Sequence, residues 1–371
     1  MRHWRAVLRI RSPLATALSA ERLFGHVCWG LAYRQGPAAV AEFLSRMQGE
    51  RPPLVLGEPV PAGFVPMPIV LQTGLAALSL RGKRQVQWSR YRRFGLMPRA
   101  ALLRAAGALG NAGAVAEALE ASGWPSVVRA KREARVRSAT SRLNGTPSGR
   151  RDWLAVEVWP EPAGRGERGE ETVPVAVGGQ VEVPIASDLE VGEIERLLWG
   201  GLENGFGRAA SVGYGQVELA AVEPVDDWPS VADANAVVTL GPCVPRQNDP
   251  AAGWWQVVTH WGKLGGSHVA GVGGREVGGV SDGGNGEQRA LCGSGGGVAV
   301  EKRPVMGLRA GAVLRAAATS GELLAAGEQQ GTIGANDPLH RGFVGRLVKD
   351  VHPQRPEVVH YGMAPVVAVK L

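Results

Sequence analysis

A glycine-rich turn joins a helical pattern to a strand pattern between residues 202 and 218. Four of its residues are glycines, which adopt positive φ readily and let two backbone segments approach closely. They are Gly205, Gly207, Gly213 and Gly215. The turn could therefore direct its amide groups toward an anion such as a phosphate. A tight turn after a helix, with no ligand, explains the same glycines equally well, so the neighbouring residues have to decide between the two interpretations.

The side chains of this turn favour RNA as the anion. Arg208 supplies a charged fork, Ser211 a hydroxyl and Tyr214 a flat ring on which a base can stack. The sequence therefore predicts RNA contacts across the turn, from Gly205, Gly207, Arg208, Ser211, Gly213, Tyr214 and Gly215.

Basic residues exceed acidic ones, and the excess is concentrated in two blocks. The 371-residue chain has 41 Lys and Arg against 34 Asp and Glu, a formal net charge of +7. No acidic residue occurs between Glu58 and Glu117, and a second basic block covers residues 129–151. This distribution favours nucleic acid as the partner. The cations predicted to bind RNA are Lys83, Arg84, Arg90, Arg92, Arg93, Arg129, Lys131, Arg132, Arg135, Arg137 and Arg142.

Aromatic residues alternate with arginines in the first basic block. Trp88, Tyr91 and Phe94 lie among its cations, a combination that single-stranded RNA-binding proteins use for stacking. A solvated arm, or a helix that packs these rings inward, is the alternative interpretation.

The cysteines and the hydropathy favour a cytoplasmic protein with no membrane partner. Three cysteines, Cys28, Cys243 and Cys292, are far apart and odd in number, which indicates neither a disulfide framework nor a zinc knuckle. The chain opens on alternating charged and apolar residues, not on a secretory pattern, and no apolar run approaches the roughly 18 residues of a membrane helix.

The order of strand and helix patterns predicts an α+β fold. Alternation over residues 3–11 predicts a strand, and Ser19 is the predicted N-cap of a helix that ends near Arg34. A second short helix at residues 38–47 and short strands follow, then a helix at residues 189–200 capped by Ser187 and Asp188, and a strand at residues 212–222. This is a ferredoxin-like order with a large basic insertion at about residues 81–150.

Six short motifs together resemble one protein family. They are Ser-Pro-Leu-Ala-Thr-Ala-Leu-Ser-Ala-Glu-Arg-Leu-Phe-Gly-His (residues 12–26), Ser-Arg-Leu-Asn-Gly-Thr (141–146), Ser-Val-Gly-Tyr-Gly (211–215), Trp-Gly-Lys-Leu-Gly-Gly (261–266), Lys-Arg-Pro-Val-Met (302–306) and Val-Val-His-Tyr-Gly-Met-Ala (358–364). Their order resembles the RAMP superfamily of CRISPR proteins and, more closely, the fourth subunit of the type III-A Csm effector. The resemblance spans nearly the whole chain.

The resemblance implies two ferredoxin-like (RRM-like, RAMP) domains, at residues 1–222 and, in degenerate form, 236–371, joined by a linker at 223–235. It implies a non-catalytic, cofactor-free subunit that grips the 5′ repeat-derived tag of the guide RNA (crRNA) in antiviral defence. The implied partners are the large polymerase-like subunit, a backbone RAMP subunit and, indirectly, target RNA. By position, the tag would lie against residues 205–215 and a basic strand at 129–142, with residues 83–93 reaching along the RNA. A glycine-rich loop at 264–297 has no counterpart in the family pattern.

Other functions stay open on the sequence. Related RAMP proteins cut repeat RNA with a histidine, and His26 is the best candidate for such a general base, although a histidine beside an apolar stripe is more often structural. A general RNA-binding protein, or a RAMP subunit of another type III complex, shares most of these features. No metal site is expected, because Asp226 and Asp227 lie in the linker and no histidine pair has ligand spacing.

Overall fold

The computed structural model describes residues 1–73, 80–127, 130–140, 147–159, 179–262, 301–315 and 341–371. Within these ranges the helices are α1 Ala20–Gln35, α2 Pro37–Met47, α3 Ile69–Thr73, α4 Lys83–Phe94, α5 Arg99–Ala105, α6 Ala112–Ala121 and α7 Val191–Leu202, with 3₁₀ turns at Ala106–Ala108 and Ala210–Val212. The strands are β1 Arg2–Ile10, β2 Val55–Leu56, β3 Val60–Pro61, β4 Phe64–Pro66, β5 Leu96–Pro98, β6 Lys131–Thr140, β7 Pro147–Val158, β8 Gly179–Ser187, β9 Val217–Pro224, β10 Ala236–Thr239, β11 Gly253–Trp254, β12 Val257–His260, β13 Val305–Leu308, β14 Val313–Arg315, β15 Phe343–Val348 and β16 His360–Val369. The predicted α+β class is confirmed. Among the described helices, none is both long and apolar enough to cross a membrane.

The first sheet has the strand order β2-β8-β1-β9, and β3 also pairs with β8. Every adjacent pair in it is antiparallel. Helices α1 and α7 pack together and against this sheet. The sequence of α1 predicts an apolar stripe of Leu23, Phe24, Val27, Cys28 and Leu31, of which the first three are buried and the last two partly buried. The sheet and both helices thus share one core.

Helices α1 and α7 cross at unusually short range because glycines form the contact. A Cβ at Gly30 would overlap the backbone of Gly200 and lie 2.8 Å from the Gly201 nitrogen. A Cβ at Gly201 would lie 2.8 Å from the His26 carbonyl carbon. Any side chain at these positions would push the helices apart.

A second core is built from residues on both sides of the predicted linker. The second sheet has the order β11-β14-β10-β16-β15. Its buried residues Val238, Val313 and Val367 pack with apolar residues of β4, β5, α4, α5 and α6. The amide of Leu109 donates to the Lys370 carbonyl, and the Lys370 amide donates to the Ala106 carbonyl, both at 2.8 Å. Much of the predicted insertion therefore contributes to the core of the second sheet, while the domain boundary at 223–235 stays a prediction.

Several predicted element boundaries are wrong for local reasons. Helix α7 is capped at Glu190, whose carboxylate forms a capping box with Glu193, and not at Ser187 or Asp188. The hydroxyl of Ser187 instead donates to the Pro53 carbonyl and accepts the Leu189 amide. The strand predicted from residue 212 begins at Val217, because residues 210–212 form a 3₁₀ turn. The glycine-rich loop at 264–297 lies outside the described residues.

Candidate nucleic-acid interface

The glycine turn, residues 205–215, has the predicted backbone conformation. Gly205, Gly207, Gly213 and Gly215 have φ of 82°, 73°, 90° and 69°, the left-handed region that favours glycine. A Cβ at Gly207 would lie 2.5 Å from the Thr16 Cβ, and one at Gly215 would overlap the Phe206 carbonyl oxygen. These two glycines let the turn fold tightly onto itself and onto the segment that follows β1.

The amides of this turn are mostly bound within the protein. The Arg208 amide donates to the Thr16 hydroxyl at 2.9 Å, and the Gln216 amide donates to the Ser12 hydroxyl at 2.8 Å. The Phe206 amide donates to the Gly215 carbonyl at 2.7 Å, and the Gly215 amide to the Pro13 carbonyl at 2.9 Å. Most of these amides therefore already have acceptors within the protein, and the expected RNA contacts of the turn stay a prediction. Side chains remain available, since Arg208 and Ser211 are exposed and Tyr214 is half-buried.

His26 is hydrogen-bonded through both of its ring nitrogens, one to the glycine turn and the other to α7. Its Nε2 accepts the Gly207 amide at 3.0 Å, and its Nδ1 lies 3.2 Å from the Gly201 carbonyl oxygen, to which it donates. The ring stacks on Phe206 with centroids 4.6 Å apart. Burial lowers the pKa of His26, and the Gly201 carbonyl opposes this in part. The neutral ring thus connects α1, α7 and the turn, and neither nitrogen is free to take a proton from RNA.

The segment of residues 12–16, here called the 12–16 connection, joins the glycine turn to the basic hairpin β6–β7. On one side Ser12, Pro13 and Thr16 accept the turn amides described above. On the other side Leu14 pairs with Glu157 of β7, the amide of each donating to the carbonyl of the other at 2.9 and 2.8 Å. Two segments predicted separately to contact RNA are therefore held side by side by five residues.

Two cations of the hairpin, Lys131 and Arg132, lie at its surface. The Arg132 guanidinium lies 3.5 Å from the Glu157 carboxylate. Arg135 lies 3.5 Å from the Glu133 carboxylate. Leu154 and Val156 of β7 are buried. Arg137 lies within β6, whereas Arg129 and Arg142 lie outside the described residues.

The first basic block forms helix α4, and its aromatic rings point inward. Trp88 and Tyr91 are buried in the second core, and the Tyr91 hydroxyl donates to the Pro125 carbonyl at 2.5 Å. The stacking on RNA expected of these two rings is therefore wrong. Phe94, partly buried, packs against the same core.

The cations of α4 occupy its exposed surface. Lys83, Arg90 and Arg93 recur at helical spacing and are exposed. Arg84 pairs with Glu120 at 2.8 Å, and Arg92 donates to the Gln72 carbonyl at 2.8 Å. Since α4 packs on the second core, the described contacts do not join it to the glycine turn.

One group of described residues has donor atoms close enough to hold a metal ion. It consists of Glu21, His260 and His360, which are far apart in sequence. Asp226 and Asp227 are exposed, as solvated linker carboxylates would be. The spacing of His260 and His360 along the sequence did not indicate that their side chains lie close together.

Comparisons with known proteins bear on the fold. No family model matches the chain, and no curated protein matches it. A chain of the crystal structure of the Csm1-Csm4 cassette in complex with cA4 is similar, with a TM-score of 0.52 and 14% identity over 100% of this chain and 98% of that chain. The same cassette in complex with AMPPNP has a TM-score of 0.50 and 15% identity, over 100% of this chain and 98% of that chain. A chain of the Csm3-Csm4 subcomplex of the type III-A interference complex has a TM-score of 0.46 and 9% identity, over 99% of this chain and 100% of that chain. The resemblance to the fourth Csm subunit is confirmed at the level of fold.

Proposed function

We propose that this chain is a non-catalytic subunit of a type III-A effector that holds the 5′ repeat-derived tag of a guide RNA. One observation carries the proposal: the 12–16 connection binds both the glycine turn and the basic hairpin. The exposed cations of the hairpin and of the turn, and the half-buried Tyr214 ring, thus belong to two segments that one short connection joins. A fold shared with a chain of the Csm1-Csm4 cassette supports the same assignment.

Side chains, and not the turn amides, would make the RNA contacts. Lys131, Arg132 and Arg208 are exposed and would neutralise phosphates, which makes binding dependent on salt. The Tyr214 ring would stack on a splayed base, an interaction of roughly 1–3 kcal/mol per base. Arg132 would exchange its exposed ion pair with Glu157 for a phosphate, and such a surface pair contributes only about 0–1 kcal/mol.

The architecture supports one ferredoxin-like unit more strongly than two. In the first sheet β8 and β1 lie in the middle, flanked by β2 and β9, which is the strand order of a split βαβ unit. In the second sheet β10 lies between β14 and β16. This strand order departs from that of the first sheet. We propose that this second unit is a degenerate version of the first.

The proposed partners follow from the assembly of the similar structures and from the family resemblance. Csm4 is assembled with Csm1 in the cassettes. We extend this pairing to the present chain, with the large polymerase-like subunit as one neighbour and a backbone RAMP subunit as the other. Target RNA would be met indirectly, through the guide.

The absence of catalysis is part of the proposal. It is supported by His26, whose two ring nitrogens are both bound to backbone groups. A general base needs a free nitrogen within reach of the proton that it abstracts. The chain would accordingly receive guides that another protein has cut.

The test is to purify the full chain from its native host and to sequence the RNA that accompanies it. We expect short RNAs that share one repeat-derived 5′ end. Arg132→Glu combined with Arg135→Glu should reduce RNA retention and lower the slope of log affinity against log salt by about 1.4, since each single-strand phosphate contact contributes about 0.7.

The matched control reverses two exposed cations of the second sheet region, Arg346 and Lys349, to Glu. This control changes the net charge equally and should leave RNA retention close to that of the wild type. A heterogeneous RNA population, or equal losses in both double variants, would contradict the proposed site.

A further inference from the structure

Glu21, His260 and His360 converge from three distant parts of the chain. Glu21 lies in the first turn of α1, His260 ends β12 and His360 begins β16. The Glu21 Oε2 lies 3.0 Å from the His260 Nδ1 and 3.9 Å from the His360 Nδ1. One donor atom from each residue can be chosen so that all lie within 4.8 Å of one another.

We propose that Glu21, His260 and His360 form a zinc site that cross-links the first helix to the second half of the chain. In a tetrahedral site Zn²⁺ lies about 2.0–2.1 Å from nitrogen and oxygen ligands, which places neighbouring ligand atoms roughly 3.4 Å apart. The distances from the Glu21 Oε2 to the two histidine nitrogens, 3.0 and 3.9 Å, lie just below and just above that value. Small side-chain rotations would therefore bring the three donor atoms onto one ion.

The donor set selects the class of metal. Two imidazoles and one carboxylate suit zinc and its neighbours among the transition metals, whereas Mg²⁺ and Ca²⁺ prefer oxygen ligands alone. Three protein ligands leave a fourth position for water or for a side chain of another protein. Exposed fractions of 21% for the Glu21 side chain and 19% for the His260 side chain leave a path from solvent, and His360 at 9% forms the buried floor.

A metal-free explanation competes with this proposal. Glu21 and His260 can form a simple ion pair, since the carboxylate and the ring lie at hydrogen-bonding distance. Lys302 also lies nearby, where its ammonium donates to the Val359 carbonyl at 2.8 Å, and its positive charge opposes a second cation. The experiment has to separate a metal ligand set from this ion pair.

The full chain, purified without a histidine tag, is first stripped with a chelator and dialysed. Zn²⁺ is then titrated by calorimetry, and bound zinc is measured by mass spectrometry after desalting. Co²⁺ is substituted in parallel, because tetrahedral cobalt gives strong visible absorption bands that an ion pair cannot produce. Glu21→Gln and His260→Gln remove single ligands, and Glu42→Gln, an exposed helical carboxylate outside the group, is the matched control.

We expect about one zinc per chain, a tetrahedral cobalt spectrum, and a loss of affinity in each ligand variant at least as large as the roughly 10–100-fold that follows loss of an outer-shell partner. Glu42→Gln should bind as the wild type does. Because Glu21→Gln preserves the shape of the side chain, its circular dichroism should remain unchanged. The proposal is overturned if the wild type shows no saturable zinc binding, or if folded Glu21→Gln and His260→Gln bind zinc as tightly as the wild type.

Discussion

Replacement of His26 separates a structural role from a catalytic one. In His26→Ala the Gly207 amide loses its acceptor and the Gly201 carbonyl loses a donor. An unpaired buried polar group costs about 1–3 kcal/mol, and the lost stacking on Phe206 adds about 0.5–1.5 kcal/mol. We therefore expect the free energy of unfolding to fall by about 2–4 kcal/mol.

His26→Gln is the informative partner of that variant. A glutamine amide carries both a donor and an acceptor, so it can replace the two backbone contacts and should recover a large part of the lost stability. A glutamine cannot act as a general base, however. Only a catalytic role would make His26→Gln as damaging as His26→Ala.

Two assays distinguish a structural role of His26 from a catalytic one. Urea unfolding of the purified chain gives the stability of each variant, and sequencing of the accompanying RNA gives the guide length. We expect unchanged guide length in both variants. Uncut precursor RNA on a well-folded His26→Gln protein would refute the structural role, as would a wild-type unfolding curve for His26→Ala.

Two further predictions concern stability. Burial, followed by the positive N-terminus, lowers the pKa of His3 from 6.5 to about 4. Native His3 is thus neutral while the unfolded form takes up a proton, so stability should fall by at most about 3 kcal/mol as the pH drops from 6.5 to 4. His3→Phe, which keeps a ring against Trp228, should reduce that loss in urea unfolding at pH 7 and 4.5, and an unchanged pH dependence would contradict the assignment. Gly30→Ala should destabilise the α1–α7 contact by about 1–3 kcal/mol or more in the same assay. Gly25→Ala, with no atom within 4 Å of the added Cβ, should be neutral or stabilising by up to about 1 kcal/mol, and equal effects at the two glycines would show that the helices are not in tight contact.

The sequence predicted those features that depend on residues within a few positions of each other. The apolar stripe of α1 and the positive φ of the glycine turn follow from residues within a few positions of each other, and both are confirmed. The burial of one face of α4 could also have been predicted from residues close together in the sequence. Trp88 and Tyr91 are three residues apart, the spacing of one helical face, so a helix period would have indicated core packing where RNA stacking was expected.

Contacts across the chain could not be predicted in the same way. The acceptors for the turn amides, Ser12 and Thr16, lie almost two hundred residues before it, and no spacing rule relates the two segments. The same holds for Glu21 and the two histidines beside it. The contacts of the turn depend on the pairing of β1 with β8 and β9, and His260 and His360 are positioned by other strand pairs, β12 with β13 and β15 with β16.

Strand β16 sets the order in which the protein can be completed during translation. It pairs with β10 and β15, and the amide of Lys370, directly after the strand, donates to the Ala106 carbonyl between α5 and α6. Its Tyr361 hydroxyl also contacts both backbone groups of Leu56 in the first sheet. The apolar faces of α4, α5 and α6 leave the ribosome long before this strand exists. A nascent chain therefore carries uncovered apolar surface until β16 has been made, and exposed apolar surface of this kind favours aggregation.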